Sequence, residues 1–245
     1  MGLTPGPEDE RLMQLLGTSS AASRMVVGMY EVSKLLASTK PKFDSAFLRD
    51  AWNVDEQLRC WDDDAIRSMP YEVLSPPSKH RDLFPCQKVE YHAYSNIWVA
   101  GNWNKHRATR IILHQRILEI LDKRDRTDLN GQLRTSEQTA RSLSIIYRMV
   151  HDIFASVACS LGATAGSKSN FPRGVGGYFL VWSLKVILRC PFVSGEQYST
   201  ARDILWRVGK ECGIGHAAIF AQNLAVSSGN TIACANVNTS QCYEI

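Results

Sequence analysis

The segment from Asn96 to Leu121, NIWVAGNWNKHRATRIILHQRILEIL, constrains the fold more than any other part of the chain. Its periodicity predicts a helix, in which successive residues turn by ~100° around the axis. The residues within about 40° of Trp103 on this helix are Arg107, Arg110, His114, Ile117 and Leu121. The opposite side carries Lys105, Arg116, Glu119 and Lys123. The cations therefore divide into two sets, and one set lies on the larger apolar stripe.

Arginines on a buried stripe are interpreted as structural arginines bonded to carboxylates or helix ends. An unpaired buried charge costs several kcal/mol, so Arg107 and Arg110 are expected to have partners. Asp55 and Asp152 are the candidate carboxylates, and the sequence alone does not choose between them. A DNA-reading helix would instead gather its cations on a solvated face. The segment is therefore predicted to be a core helix and not a DNA-binding surface.

Apolar residues at helical spacing recur in most of the remaining chain. They cover residues 20–39, which Pro41 closes, and they continue from Phe43 to Trp61. Four prolines at positions 70–85 predict a long irregular connection over residues 62–89. No stretch alternates for long with the period of a half-buried strand. The predicted fold class is all-α, a multi-helix domain with irregular loops.

Three regions are predicted along the chain. Residues 1–19 form an N-terminal flexible segment, residues 20–226 form the all-helical domain, and the Ser/Asn/Thr-rich residues 227–245 form a disordered tail. Within the domain, two pairs of residues fit a capping box at a helix start: Thr135 with Gln138, and Ser194 with Gln197. Gly162 and Gly213 are predicted to end the helices that these boxes begin.

Motifs for catalysis or metal binding are weak. GVGG at residues 174–177 lacks the third glycine of a phosphate loop and follows no strand, so it is predicted to be a turn or a close-packing site. Asp62–Asp64 is similar to the aspartate clusters that bind Mg²⁺ in all-α isoprenoid enzymes. Ile66 stands where a fourth carboxylate is expected, which favours a solvated charge run at a helix end. The histidines form no zinc motif.

Charge, cysteines and hydropathy exclude further classes of protein. The net charge of +4 falls well short of a dedicated nucleic-acid coat. Seven scattered cysteines without a C-x-x-C pair indicate free or buried thiols in a reducing compartment. No apolar run approaches the ~18 residues that span a membrane. The chain is expected to bind no stoichiometric zinc and to show only weak, salt-sensitive affinity for DNA.

The order of several blocks resembles a known family. IWVAGNWNKHRATRIILHQRILEIL is similar to the tryptophan-asparagine, arginine-x-x-arginine-isoleucine-leucine helix in the C-terminal regulatory region of fungal binuclear zinc-cluster transcription factors. The preceding FDSAFLRDAWNVDEQLRCWDDDAIRSMP resembles that region's amphipathic segment. Three further blocks follow in the family's order: DIFASVACSLG, GGYFLVWSLKVI and ILWRVGKECGIGHA. The resemblance covers roughly residues 30–222, with Ser183 where the family often has proline.

The resemblance implies a regulatory domain that controls RNA polymerase II transcription in a fungal nucleus, for a secondary-metabolite or catabolic gene set. It implies no enzyme activity, no cofactor in this chain and no direct DNA contact or membrane binding. The expected partners are proteins of the transcription machinery or a homologous factor, and a homodimer stays open. The candidate structural or regulatory residues are Trp103, Arg107, Arg110, Asp152 and Trp182.

The six clustered cysteines that hold two Zn²⁺ ions in the family's DNA-binding part are missing from this sequence. The sequence is therefore interpreted as a fragment, the product of a gene with wrongly assigned boundaries, or a natural headless protein. Two alternatives remain open. One is a headless interaction module that titrates a full-length homologue. The other is a small all-α enzyme that uses Asp62–Asp64 to bind Mg²⁺.

Overall fold

The computed structural model describes residues 20–37, 45–75, 90–125, 132–162 and 173–231. These ranges form seven helices and one two-stranded antiparallel sheet. The elements in chain order are α1 (Ala21–Ala37), α2 (Ser45–Ser68), β1 (Tyr71–Leu74), β2 (Tyr91–Tyr94), α3 (Ile97–Asp125), α4 (Gln132–Ser160), α5 (Arg173–Arg189), α6 (Gly195–Glu211) and α7 (Gly215–Thr231). The predicted all-α fold class is confirmed, and the described residues add one small two-stranded sheet that was not predicted.

Helix α3 is the central element, because it contacts α1, α2, α4, α5 and β2. One hydrophobic cluster contains residues of α3, α4, α5, α6 and α7. A second cluster lies where α3 meets α1, α2 and β2. The buried stripe that contains Arg107, Arg110 and His114 is confirmed, and burial extends beyond it to Asn104 and His106. A helix between two cores has little solvated surface, so polar side chains must find partners inside the protein.

The predicted irregular connection over residues 62–89 is wrong at its start. Helix α2 continues through Asp62–Asp64 to Ser68, and β1 then pairs with β2 in the register Tyr71↔Tyr94 to Leu74↔Tyr91. Each strand has only four residues, too few for an alternating pattern to stand out in the sequence. The sheet is stabilised by the packing of β2 against α4. Residues 76–89, the rest of the predicted connection, lie outside the described residues.

The helix ends agree with most of the predicted signals. The Ser194–Gln197 capping box is confirmed, because Ser194 Oγ accepts from the Gln197 N–H at 3.1 Å and Gln197 Oε1 accepts from the Ser194 N–H at 2.9 Å. Gly162 and Gly213 follow helices α4 and α6 with φ of 71° and 74°, the left-handed conformation that ends a helix. The box at Thr135 is wrong, because α4 already begins at Gln132.

The predicted division of the chain at residues 20 and 226 stays a prediction. Helix α7 runs to Thr231, past the predicted domain end at 226. The predicted flexible segment 1–19 and residues 232–245 of the predicted tail lie outside the described residues. Within α4, the stretch Thr135–Ser160 is long and apolar enough to cross a membrane by length and composition alone. About half of its most apolar window, 56%, is buried inside the protein, as in a core helix.

The GVGG sequence lies in the first turns of α5 and packs closely, as one of its two predicted interpretations requires. A Cβ atom added to Gly176 would overlap the backbone carbonyl of Ser160, and one added to Gly177 would lie 2.8 Å from Cys212 Sγ. The missing side chains let the start of α5 approach the end of α4.

Replacing Gly176 with alanine is expected to lower the free energy of unfolding by about 2–3 kcal/mol, because the overlapping atoms belong to backbone that cannot move aside cheaply. Urea unfolding followed by circular dichroism measures the change. Gly195→Ala is the control, because a Cβ there meets no atom within 4 Å. Its effect should stay below about 1 kcal/mol. Equal stability of both variants would show that α5 does not pack closely at Gly176.

Candidate functional site

Two rows of side chains on α3 form the most polar part of the interior. Trp103 and Arg107, one turn apart, face the sheet, and His106, Arg110 and His114, each one turn apart, face α2. All five side chains are buried. The two rows make two neighbouring polar clusters, which share a pocket at the surface.

The row that faces α2 forms a buried ion-pair network. Arg110 Nε donates to Asp55 Oδ1 at 2.8 Å, and Arg110 Nη1 donates to Asp62 Oδ2 at 3.3 Å. His114 Nε2 also lies 3.0 Å from Asp55 Oδ1. Asp55 and Asp62 are two turns apart on α2, so both carboxylates face α3. The prediction that a buried arginine of α3 pairs with Asp55 is confirmed for Arg110.

The surroundings of the two carboxylates shift their pKa values in opposite directions. Burial alone raises the pKa of Asp55, but the hydrogen bond and charge of His114, together with Arg110, outweigh burial and lower it to about 2. Burial raises the pKa of Asp62 to about 6, against the opposing charges of Arg110, Arg148 and Arg107. Asp55 is therefore the permanent anion of the network, whereas Asp62 titrates near neutral pH.

His106 is the third member beside Asp62. Burial and the charge of Arg110 lower its pKa to about 3, so the ring is neutral at physiological pH. His106 Nε2 lies 3.0 Å from the Leu58 carbonyl, which only an N–H can satisfy, and this partner assigns the proton to Nε2. Nδ1 is then an acceptor 3.2 Å from Asp62 Oδ1. A protonated Asp62 carboxyl can donate to it, and an ionised one cannot.

The titration of Asp62 predicts a pH dependence of stability. The folded chain keeps this proton up to about pH 6, whereas the unfolded chain releases it near 3.8. The folded state therefore binds more protons between these values, and its stability falls as the pH rises through this window. Asp62→Asn should remove this fall. Relative to the parent chain, the variant's free energy of unfolding should therefore be higher at pH 7 than at pH 4, by on the order of 1–3 kcal/mol.

Urea unfolding of both proteins at pH 4 and pH 7 measures this difference. Asp63→Asn is the matched control, because the neighbouring carboxylate is 68% exposed. The prediction is contradicted by an Asp62→Asn variant whose stability, relative to the parent chain, is the same at both pH values.

The row that faces the sheet holds Arg107 among neutral partners. Arg107 Nη1 donates to Tyr94 Oη at 2.6 Å and to Asn104 Oδ1 at 3.1 Å, and Nη2 lies 3.2 Å from His92 Nδ1. Burial and the charge of Arg107 lower the pKa of His92 to about 3, so the ring is neutral. Because the guanidinium group can only donate, His92 Nδ1 is the acceptor of this contact. Tyr94 Oη, 3.1 Å away, can donate to the same nitrogen. These contacts close a small polar cycle around the guanidinium group.

The predicted carboxylate partner of Arg107 is absent from the described residues. The expectation of an ion pair is wrong here, because neutral acceptors and the rings of Tyr71, Tyr94 and Trp103 surround the guanidinium, with centroids 5.4–5.9 Å from Cζ. Asp152, the second candidate partner, lies on α4 with Arg148 Nε at 4.0 Å and His151 Nδ1 at 3.4 Å.

The remaining predicted residues occupy different places. Trp103 is buried, and its Nε1 donates to the Met69 carbonyl at 2.9 Å, which ties α3 to the end of α2. Trp182 on α5 is 38% exposed and lies outside both polar clusters. The structure therefore brings together Trp103, Arg107 and Arg110, places Asp152 near them, and leaves Trp182 apart.

The three aspartates at 62–64 diverge around α2. Asp62 contacts Arg110, Asp63 lies 3.7 Å from Arg59, and Asp64 contacts Arg24 at 3.3 Å. The interpretation as a solvated run holds for Asp63 and is wrong for Asp62, which belongs to the buried network. Within the described ranges, no group of three or more His, Cys, Asp or Glu side chains is placed to hold a metal ion.

The sequence-based reasoning missed His92, Tyr94 and Asn104 as members of the site. One signal was available, because His92 and Tyr94 are two residues apart and therefore share one face of a strand. Asn104 Nδ2 donates to Ser156 Oγ at 2.8 Å, and Ser183 Oγ donates to the Asn104 carbonyl at 3.2 Å. These bonds connect α3 to α4 and α5, and no pattern in the sequence predicts them.

A pocket with a volume of about 190 Å³ opens over both clusters. It lies between α2, β1, α3 and α4, and we name it the Arg107 pocket. The polar side chains that line it include Asp62, His106, Arg107, Arg148 and Asp152. Tyr71 and Trp103 supply aromatic walls. The arrangement suits recognition of a small polar molecule, because charges of both signs converge beside flat apolar surfaces.

Comparison with known proteins gives one informative similarity. The chain is 28% identical over 151 residues to the transcription factor dbaG of Emericella nidulans. The match covers 58% of this chain and 34% of dbaG, so it spans about a third of that relative's length. No protein-family model and no solved structure matches the chain. The chain is therefore similar to a fungal transcription factor over more than half of its own length.

Proposed function

We propose that this chain is a helical regulatory domain of a fungal transcription factor, acting on RNA polymerase II transcription in the nucleus. The observation that carries the proposal is the 28% identity with the transcription factor dbaG over 151 residues. The mainly helical fold is compatible with the regulatory region that the sequence blocks resemble. The proposed role has no catalytic step, so the domain acts through its conformation and its partners.

The finer parts of the proposal follow from the resemblance. The regulated genes belong to a secondary-metabolite or catabolic set, and the partners are proteins of the transcription machinery or a homologous factor. The chain contacts no DNA itself, since the two arginines of α3 at positions 107 and 110 are buried and bonded to other side chains. This burial supports a regulatory role in preference to a phosphate-binding surface.

A tethering experiment tests this function. The chain is fused to a heterologous DNA-binding domain with a reporter promoter in fungal cells. We expect the fusion to raise or lower reporter expression relative to the DNA-binding domain alone. An Arg110→Ala fusion should lose the effect because the network with Asp55 is broken, whereas Arg116→Ala should keep it. A stably expressed wild-type fusion that leaves the reporter unchanged would refute the proposal.

The second candidate is a headless module that titrates a full-length homologue. This sequence has no six-cysteine cluster, which is compatible with such a module. Under this alternative, the unfused chain lowers the activity of a co-expressed homologous factor and co-purifies with it, while the tethered chain leaves the reporter unchanged. The two candidates therefore give opposite results in the same pair of assays.

A further inference from the structure

We propose that the Arg107 pocket binds a small zwitterion of amino-acid size, with the ligand carboxylate on Arg107 and the ligand ammonium group beside Asp152. The binding site is inferred from the positions, charges and volume of the pocket and does not depend on the proposed function. Its role as an effector site rests on the proposed regulatory function.

The first step concerns the buried cation. Arg107 is 1% exposed, and in the described part of the chain it forms no ion pair. Within the described residues, its hydrogen bonds with Tyr94, Asn104 and His92 use three of the five guanidinium N–H donors. The ring faces around it stabilise a cation but bring no negative charge. The charges of Asp62 and Asp152 act on Arg107 without an ion-pair contact. A ligand carboxylate would supply an anion in direct contact with the guanidinium group and accept charge-assisted hydrogen bonds.

The second step concerns the acidic wall. Asp62 and Asp63 of α2 and Asp152 of α4 line the same pocket. Asp62 is already held by Arg110 at 3.3 Å, and Asp63 is 68% exposed. Asp152 is 17% exposed, and its contacts are with its neighbours on α4, Arg148 at 4.0 Å and His151 at 3.4 Å. Asp152 is therefore the carboxylate that can pair with a ligand. Three acids at the wall disfavour a ligand with several negative charges and favour one that also carries an ammonium group.

The third step concerns size and shape. A volume of about 190 Å³ corresponds to roughly six water molecules in the liquid, enough for a compact molecule and too little for a nucleotide or a lipid chain. Tyr71 and Trp103 form flat walls against which an ammonium group or a short apolar side chain can pack. A small zwitterion satisfies the charge pattern and the volume together.

Calorimetric titration and thermal shift of the purified full chain test the proposal, with each common L-amino acid as a probe. Acetate, which carries only the anion, and methylammonium chloride, which carries only the cation, are tested at the same ionic strength. We expect at least one amino acid to bind and to raise the melting temperature, with little or no response to either single-charge probe. No response to any amino acid, or equal binding of acetate, would overturn the proposal.

A matched pair of variants tests the assigned contact. Asp152→Asn should weaken binding of the responding amino acid by about tenfold or more, as expected for loss of a charged hydrogen bond. Glu211→Gln is the control, because Glu211 also lies one turn after an arginine on its helix and is remote from the pocket. Circular dichroism checks that both variants fold. Undiminished binding by folded Asp152→Asn would contradict the assignment.

These measurements separate the two proposals. Binding is measured on the isolated chain and does not depend on transcription. If an amino acid binds but the tethered chain never alters the reporter, the regulatory function fails and the binding site stands. If the reporter responds and no zwitterion binds, the regulatory function stands and the assignment of this pocket fails.

Discussion

Replacing Arg110 with alanine is expected to lower the free energy of unfolding by about 3–5 kcal/mol. The guanidinium group is the closest cation to Asp55, a carboxylate that is 1% exposed and whose Oδ2 has no hydrogen-bond partner in the described residues. Alanine leaves Asp55 with His114 alone and also removes the contact with Asp62. The loss would be a large share of the stability of a typical domain. Urea unfolding of the parent chain and the variant measures it.

Arg116→Ala is the matched control from the same helix. Its side chain is 42% exposed and contacts Glu119 three residues later, so its loss should cost ~0.5 kcal/mol or less. Equal and small losses for both arginines would mean that the two cations face solvent together. A phosphate-binding surface on α3 would then become the better interpretation.

Trp103→Ala is expected to be as damaging, at about 3–5 kcal/mol, because it opens a cavity where several rings meet. The Trp103 ring lies 5.1 Å from both Trp61 and Tyr71 and covers one side of Arg107 at 5.4 Å. Alanine also leaves the Met69 carbonyl without its donor. The variant should therefore unfold at a much lower urea concentration than the parent chain.

Trp182→Ala provides the comparison for Trp103, since it removes the same side chain from the surface of α5. Trp182 is 38% exposed, so its loss should cost only a fraction of the Trp103 effect. If the two tryptophan variants lose equal stability, Trp103 does not occupy a closely packed centre and the polar cluster beneath it is not held by packing.

Periodicity alone predicted the long helix α3 and the burial of Arg107 and Arg110, because a helical wheel reports which residues share a face. The same reasoning placed Asp55 among the partners of these arginines. It failed for Arg107, since the expected partners were carboxylates or helix ends and the observed partners are a tyrosine, an asparagine and a histidine. The tyrosine and the histidine come from a strand too short to be recognised from sequence.

The pocket itself could not be predicted from sequence. Its walls come from four elements that are far apart along the chain, and their approach depends on packing angles rather than on local propensity. Asp62 shows the same limit, because its place in an aspartate run indicated a solvated position. Only the crossing of α2 and α3 turns one of three consecutive aspartates toward Arg110.

The position of α3 between two hydrophobic clusters has a consequence for folding cooperativity. Each cluster uses residues of the same helix, so neither can retain its full packing while the other dissolves. The amides of α3 should therefore exchange with solvent only through global unfolding, whereas the peripheral α7 can open separately. We therefore expect a change in packing at one face of the central helix to alter packing at the other face, because both faces belong to a single cooperative unit.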